Sequence, residues 1–266
     1  MKKTIIFSLL LLTAFSVGAT GQDGDIIYID GVEWQLLGKP LCQDSVIYKQ
    51  VLAALPEDRN WTTANWDGYT AVWSIKDNKL VLESVSNLSR DKLISIFQNA
   101  VYKPLVASWY NGTIRVAKGK CIYYVHSGFM RNYETELHLE IVNGDIINKT
   151  LYNNKILADG FAITGKFNNN DLIKKHFPID PNKYPELKGT KIVVSIEDIK
   201  VDAEGNLINY NLGVHGVDKS YAKYQQLEDE INNMAKAIKP WRTLLINGEV
   251  KSETKNIIFK LDFDEK

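Results

Sequence analysis

Turn signals recur at short intervals through residues 25–156 of this chain and restrict every element between them to a short length. They are Asp30-Gly31, Asp77-Asn78, Asn111-Gly112 and Asn143-Gly144. Asp, Asn and Gly accept the positive φ values of two-residue hairpin turns, and the runs between these signals are apolar or aromatic. In TAVWSIKDNKLVLESV, two alternating strands meet at Asp77-Asn78. The pattern predicts a mainly antiparallel β domain.

A second hairpin is predicted in VASWYNGTIRV, where Asn111-Gly112 would supply the tight turn. Helical periodicity is rare in this part of the chain. Asp44 can cap a helix that carries Ile47, Val51 and Leu55, and a second short helix is indicated around Leu93 to Phe97. We therefore expect one or two short helices packed on the sheet.

After Asp159-Gly160 the composition changes. A short helix through His176 precedes HFPIDPNKYPELKG, in which three prolines fall within eleven residues and indicate a junction. The remainder predicts β-β-α-β, so the fold class expected for the whole chain is α+β. The predicted parts are a signal peptide at 1–21, a β-rich domain at 22–160, a helix and Pro-rich junction at 161–186, and a small β-β-α-β domain at 187–266.

The last helix and strand of the chain are strongly patterned. Ser220 or Asp218 can cap a helix that ends before Pro240, with apolar residues at steps of three and four. The final strand places one set of side chains on a core face and the alternate set on the other face. The core set is Ile257, Phe259, Leu261 and Phe263, and the opposite set is Ile258, Lys260 and Asp262.

Charge and composition exclude some partners. The 266 residues include 32 basic and 32 acidic side chains, which leaves no net charge, and 45% are hydrophobic, as in ordinary globular proteins. Binding to nucleic acid or to an anionic membrane needs clustered Lys and Arg, which the sequence does not show. We expect no nucleic-acid partner.

The N-terminus has the pattern of a secretory signal peptide. Lys2 and Lys3 precede an apolar run from Ile5 to Val17, and small residues follow. The run is shorter than the roughly 20 apolar residues of a membrane span. We expect cleavage of this segment, a periplasmic or secreted protein, and no stable membrane span after removal of the signal.

The second half resembles the TonB C-terminal domain family, of the type common in Bacteroidetes. The resemblance rests on the hairpin KIVVSIEDIKVDAEGNLINYNL, on Lys239-Pro240-Trp241, on the Asn-Gly-Glu-Val that begins at Asn247, and on a terminal Ile-x-Phe-x-Leu strand. It implies a small domain that pairs an open sheet edge with an extended segment of an outer-membrane transporter. The partner-binding residues it implies are Trp241, Asn247, Ile258, Lys260 and Asp262.

Two features differ from a true energy transducer of that family, namely a cleavable signal and no long proline-rich spacer. A borrowed domain used for another protein contact is therefore expected. The first half is similar to β-rich bacterial proteins found near polymorphic toxins, some of which act as immunity factors. That similarity rests on GYTAVWSI, ASWYNGTIRV and YYVHSGF.

One strand carries residues that suggest chemistry. In NYETELHLEIVNGD, Glu134, Glu136, His138 and Glu140 alternate with other residues and would share one face. Glu136, His138 and Glu140 could hold a divalent metal or act as an acid–base group. The alternative, which this pattern favours, is a strand with one dry side and one wet side.

The aromatic residues and cysteines leave further alternatives open. Trp61 and Trp66 lie in the polar stretch RNWTTANWDGYT, and they either form a platform for a glycan or peptide or cover the core. Cys42 and Cys121 either form one disulfide or remain buried free thiols.

The sequence has no phosphate-binding G-x-x-x-x-G-K-[ST] loop, no G-x-G-x-x-G and no G-x-S-x-G. We therefore expect an exported non-catalytic protein without a cofactor, whose partner is another envelope or secreted protein such as an outer-membrane transporter or a toxin. The alternatives are a metal-dependent or acid–base enzyme at Glu136, His138 and Glu140, and a toxin-immunity or glycan-binding protein that acts through the first domain.

Overall fold

The computed structural model describes residues 21–59, 61–98, 104–163, 170–261 and 263. The first part of the chain contains two short helices among nine strands. These elements are β1 (Asp25–Ile29), β2 (Val32–Leu36), α1 (Ser45–Ala54), β3 (Ala71–Lys76), β4 (Lys79–Val85), α2 (Arg90–Ile96), β5 (Leu105–Val106), β6 (Gly112–Tyr124), β7 (Arg131–Val142), β8 (Asp145–Asn153) and β9 (Lys155–Ala158).

Seven of these strands close into a barrel. The order is β3-β1-β2-β6-β7-β8-β4, and β4 then pairs with β3 to complete the ring. β1 and β3 pair in parallel and the other pairs in the ring are antiparallel. Trp73, Leu36, Leu80 and Leu139 are buried in its core. β5 pairs with β4 outside the ring.

The ring is joined narrowly between β4 and β8, and we call this join the barrel seam. A single residue pair, Lys79 with Asp145, is in register there. The amide of Leu80 donates to the carbonyl of Gly144 at 2.9 Å, and the amide of Ile146 donates to Asn78 at 2.9 Å. An ion pair between the Lys79 and Asp145 side chains covers the seam.

The later part of the chain forms one three-stranded sheet, two strands of another that also includes β9, and a second core. Its elements are α3 (Asn170–His176), β10 (Ile192–Val201), β11 (Leu207–His215), α4 (Tyr224–Ala237), β12 (Thr243–Ile246), β13 (Glu249–Ser252) and β14 (Ile257–Leu261). One sheet has the order β11-β10-β14 and the other has the order β13-β12-β9. Leu227, Ile231 and Ala235 of α4 are buried in the second core together with Val194 and Phe259.

The predicted α+β class is wrong. Strands hold about twice as many residues as helices, and the first part is a closed barrel, so the chain is mainly β. The later part is not a simple β-β-α-β unit either, because the β12–β13 hairpin is inserted before β14 and pairs with β9. Periodicity in the sequence identifies single strands, whereas ring closure and the β9–β12 pairing join segments that are distant in sequence.

Local predictions have mixed outcomes. β3 and β4 form the expected hairpin, with φ of 50° at Asp77 and 59° at Asn78. Asp44 caps α1 by accepting hydrogen bonds from two backbone amides. The VASWYNGTIRV hairpin is wrong, since β5 pairs with β4. The predicted side-chain cap of α4 is also wrong, because its N-cap is Lys223, which makes no capping bond.

Among the described residues, no helix has both the length and the apolar character that a membrane crossing requires. The predicted signal peptide lies almost entirely outside the described residues.

Candidate functional site

The last strand, β14, lies at an edge of the β11-β10-β14 sheet. It pairs with β10 from Leu261 opposite Ile192 to Ile257 opposite Ile196. No other strand in the described parts of the chain pairs with it. Half of its backbone N–H and C=O groups therefore point away from the sheet, which is the arrangement that accepts an additional strand.

The side chains of β14 divide into a buried set and an exposed set. Ile257 and Phe259 are buried in the second core, which holds the strand in place. Ile258 and Lys260 lie on the other face of the strand, where Ile258 is 53% exposed and Lys260 is also exposed. An incoming strand would thus meet a fixed backbone flanked by one apolar and one cationic side chain.

The outer face of this sheet carries small residues beside β14. Ser195, opposite Ile258, is buried, and its Oγ lies 3.3 Å from Nε2 of His215. A Cβ at Gly213 would lie 2.7 Å from both of these atoms, so a larger residue there would require one of the two side chains to move. Ser195 is 7% exposed, so this contact lies close against the sheet.

A bulge in β10 forms a polar hollow at one end of the same sheet. Asp198 has a φ of 53°, and the register with β11 shifts after Glu197. The hollow has a volume of about 460 Å³. It is lined by Asp198, Ile199, Lys200, Asn209, Asn211, Lys255 and Asn256.

The sequence signal for this bulge was missed. Buried positions change from even numbers, at Ile192, Val194 and Ile196, to odd numbers, at Ile199 and Val201. An unbroken strand would keep the same parity, because its side chains alternate with a period of two.

Two predicted partner-binding residues lie away from the edge. Trp241 is fully buried, and its ring packs edge-on against Phe161 with the centroids 4.9 Å apart. Its prediction as a contact residue is wrong because a residue from another part of the chain covers it. Asn247 is half-buried in the β12–β13 turn with a φ of 53°. Asp262 lies outside the described residues.

Glu136 occupies the centre of a hydrogen-bonded cluster on the outside of the barrel. Its Oε2 accepts bonds from Nη2 and Nε of Arg115, at 2.9 and 3.2 Å. Its Oε1 accepts bonds from Nδ2 of Asn132 at 3.0 Å and from the amide of Tyr133 at 2.9 Å. Nε2 of His138 lies 3.3 Å from Oε2. Both carboxylate oxygens are therefore occupied by protein donors.

This geometry does not support a metal site. Glu136 is fully buried and so departs from the predicted wet strand face, whereas Glu134 and Glu140 on that face are exposed. Glu140 accepts a bond from Asn148. No group of three or more His, Cys, Asp or Glu side chains in the described residues is placed to hold a metal ion. The Arg115–Glu136 pair instead joins β6 to β7.

The predicted platform residues are on the surface. Trp61 is 69% exposed and Trp66 is 70% exposed. Trp73, in contrast, is fully buried in the barrel, with its Nε1–H donating to Asp25 at 3.0 Å.

Cys42 and Cys121 are both free and exposed, so neither the disulfide nor the pair of buried thiols is found. Cys121 lies at an irregularity in β6, where the register with β7 shifts on both sides of it. Partial desolvation raises the pKa of both thiols above the usual range.

No known protein family, curated protein or solved structure matches this chain. The similarity of the second half to the TonB C-terminal domain therefore stays a prediction.

Proposed function

We propose that this chain is an exported, non-catalytic protein that binds an extended segment of another envelope or secreted protein along the edge of β14. The observation that carries the proposal is that β14 pairs with a strand on one side only within the described chain. The strand β11 is also an edge, and the resemblance of the second half to the TonB C-terminal domain favours the edge of β14 over that of β11. The N-terminal pattern of Lys2 and Lys3 followed by an apolar run supports the export part of the proposal.

Strand addition gives affinity mainly through backbone hydrogen bonds, while alternate side chains give specificity. Ile258 offers an apolar contact, and complete burial of an Ile side chain is worth about 1.5–3 kcal/mol. Since Ile258 is already half-buried, its contribution would lie toward the lower end. Lys260 favours a partner segment with an acidic side chain near it.

The enzyme alternative has weaker support. It needs Glu136 and His138 to be available to a substrate or metal, yet Arg115 and Asn132 already occupy the Glu136 carboxylate. Binding of an extended segment at the edge of β14, in contrast, breaks no hydrogen bond between the described strands.

The test is photo-cross-linking in producing cells, with a photoreactive amino acid placed at Ile258 of the full chain. The matched control is Ile208 in β11, the opposite edge of the same sheet, which is 66% exposed. We expect a discrete adduct from position 258 and none from position 208. Hydrogen exchange on the isolated complex should then show protection of 257–261. Equal adducts at both positions, or none at either, would reject the edge of β14 as the binding site.

A further inference from the structure

The two most exposed large hydrophobic side chains in the described residues are both tryptophans, and both lie in one loop. We call residues 61–68 the tryptophan loop. Trp61 is 69% exposed and Trp66 is 70% exposed. Large exposed aromatic surfaces on a folded protein commonly mark binding sites.

Hydrogen bonds within the loop define its backbone conformation. Thr62 and Asn65 exchange reciprocal backbone hydrogen bonds of 3.1 and 3.0 Å. The Thr62 hydroxyl also accepts a bond from the amide of Ala64 at 3.2 Å. These bonds fix the backbone of the short segment that separates Trp61 from Trp66.

Residues outside the loop hold it from several sides. The amide of Asp23 donates to the carbonyl of Ala64 at 2.7 Å. The Tyr48 hydroxyl donates to the carboxylate of Asp67 at 2.5 Å, and Nε of Arg59 donates to the carbonyl of Asp67 at 2.9 Å. A ligand that binds here would therefore not have to order the loop.

One of the two indole rings is itself fixed. Nε1 of Trp66 donates to the carbonyl of Thr63 at 2.6 Å, which ties the ring to the turn while leaving most of its surface exposed. A fixed aromatic side chain loses little conformational entropy when a ligand covers it.

The surroundings of the loop favour a sugar over a membrane or a protein. Three acidic residues, Glu57, Asp58 and Asp67, lie in or beside the loop. Two basic residues, Arg59 and Lys39, also contact it, so the loop lacks the cluster of Lys and Arg that an anionic membrane surface attracts. The residues between the tryptophans, Thr62 to Asn65, are mostly polar, whereas the centre of a protein interface is a more continuous apolar patch. A pyranose ring combines an apolar C–H face, which suits an indole, with a rim of hydroxyls, which suits Thr, Asn and Asp.

We infer that the tryptophan loop is a binding platform for a neutral polysaccharide built of pyranose units, with Trp61 and Trp66 stacking on the sugar faces. This site is separate from the β14 edge and does not depend on the function proposed for it.

The test is affinity electrophoresis of the full chain in gels that contain soluble neutral polysaccharides, namely a glucan, a mannan and a galactan in separate gels. We expect at least one of them to retard the protein. Trp61→Ala and Trp66→Ala should each weaken that binding by roughly tenfold or more, because each removes most of an aromatic contact surface. Ile208→Ala, which removes an equally exposed side chain elsewhere, should bind like the unmodified chain.

Both tryptophans are on the surface, so the variants should keep the unfolding midpoint of the unmodified chain. A gel series in which none of the three polysaccharides retards the unmodified chain would overturn the inference. So would retardation that survives the double variant. Binding to phosphatidylglycerol vesicles that is lost in the double variant, without polysaccharide binding, would assign the loop to a membrane surface instead.

Discussion

The side-chain Oδ1 of Asn154 accepts a hydrogen bond of 2.8 Å from the backbone N–H of Asn247, across 93 residues of chain. The same side chain donates through Nδ2 to the carbonyl of Tyr133 at 2.8 Å, and its backbone amide donates to Glu134 at 2.8 Å. Asn154 is buried. One amide side chain thus joins barrel strand β7 to the turn between β12 and β13.

Asn154→Ala should lower the free energy of unfolding by about 2 kcal/mol, because it leaves the amide of the half-buried Asn247 and the carbonyl of the buried Tyr133 without their partner. Urea unfolding followed by circular dichroism measures this. Asn153→Ala is the matched control, since Asn153 is exposed, and it should change stability by less than about 0.5 kcal/mol. If the two variants lose the same free energy of unfolding, the hydrogen bonds of the Asn154 side chain do not contribute to stability.

Trp241 has an indole N–H that is buried without a hydrogen-bond partner in the described residues. Trp241→Phe removes this unsatisfied donor and keeps much of the packing against Phe161, so it should remain within about 1 kcal/mol of the unmodified chain. Trp241→Ala should cost about 3–5 kcal/mol, because it leaves a cavity. Urea unfolding compares them. If Phe proves as costly as Ala, the indole N–H makes a bond that stabilises the fold.

The Arg115–Glu136 pair should act as a structural connection. Glu136→Gln leaves Arg115 without its counter-charge and should destabilise the chain by about 2–3 kcal/mol, somewhat less than for a completely buried pair because Arg115 is 28% exposed. Thermal unfolding measures the loss, with Glu140→Gln as the exposed control. Adding Zn²⁺ should leave the melting temperature of the unmodified chain unchanged. A Zn²⁺-dependent rise that Glu136→Gln abolishes would restore the metal hypothesis.

Asp25 should give the chain a characteristic pH dependence. Its carboxylate is buried, 3.2 Å from Nζ of Lys39, and accepts bonds from the amide of Ala71 and from Nε1 of Trp73. Burial raises its pKa above the ordinary 3.8 despite the opposing charge of Lys39. The folded chain then binds this proton more tightly than the unfolded chain does, so the stability contributed by Asp25 falls as pH rises from 3.8 through the raised pKa.

Urea unfolding at a series of pH values compares the unmodified chain with Asp25→Asn, and Asp23→Asn serves as the exposed control. The stability of the unmodified chain relative to Asp25→Asn should decline with rising pH over that window and then stay constant. A relative stability that increases with pH would mean that the charge of Lys39 outweighs burial.

Both cysteines should react with a thiol reagent in the native state, because both are free and exposed. Desolvation raises the pKa of each, so the thiolate fraction at neutral pH is lower than for an ordinary cysteine, and the reaction should accelerate as pH rises. Titration with a chromogenic disulfide should count two thiols, and Cys42→Ser or Cys121→Ser should each remove one. A native chain whose thiols react only after reduction would show that a disulfide forms.

Features with local causes were predictable from the sequence. The β3–β4 turn needs two residues that tolerate positive φ, and Asp77-Asn78 supplies them. The start of α1 needs an acceptor for its first amides, and Asp44 supplies one. The alternation in the final strand correctly placed Ile257 and Phe259 in a core. In each case, neighbouring residues contain the whole physical cause.

The missed features depend on distant partners. Asn111-Gly112 has the composition of a hairpin turn, but the Gln43 side chain donates to the Asn111 carbonyl at 2.6 Å and accepts from its amide at 2.7 Å, which holds this segment as a loop. Alternation placed Glu136 on an outer face and could not show that Arg115, from another strand, covers it. The position of Trp241 directly after Pro240 does not reveal that Phe161, about eighty residues earlier in the chain, packs against its ring and buries it.

The barrel seam has a consequence for the newly made chain. Lys79 and Asp145 are 66 residues apart, and Asp145 lies past the midpoint of the 266-residue sequence. A ring cannot close until its last strand exists, so during synthesis the Lys79 end of β4 stays unpaired on one side for more than sixty residues, while β5 already pairs with β4 at Val81 and Leu82. Nascent chains would be most prone to associate with one another through this unpaired strand end in that interval. Rapid pairing with β8, or a chaperone bound to the unpaired end, would prevent such association.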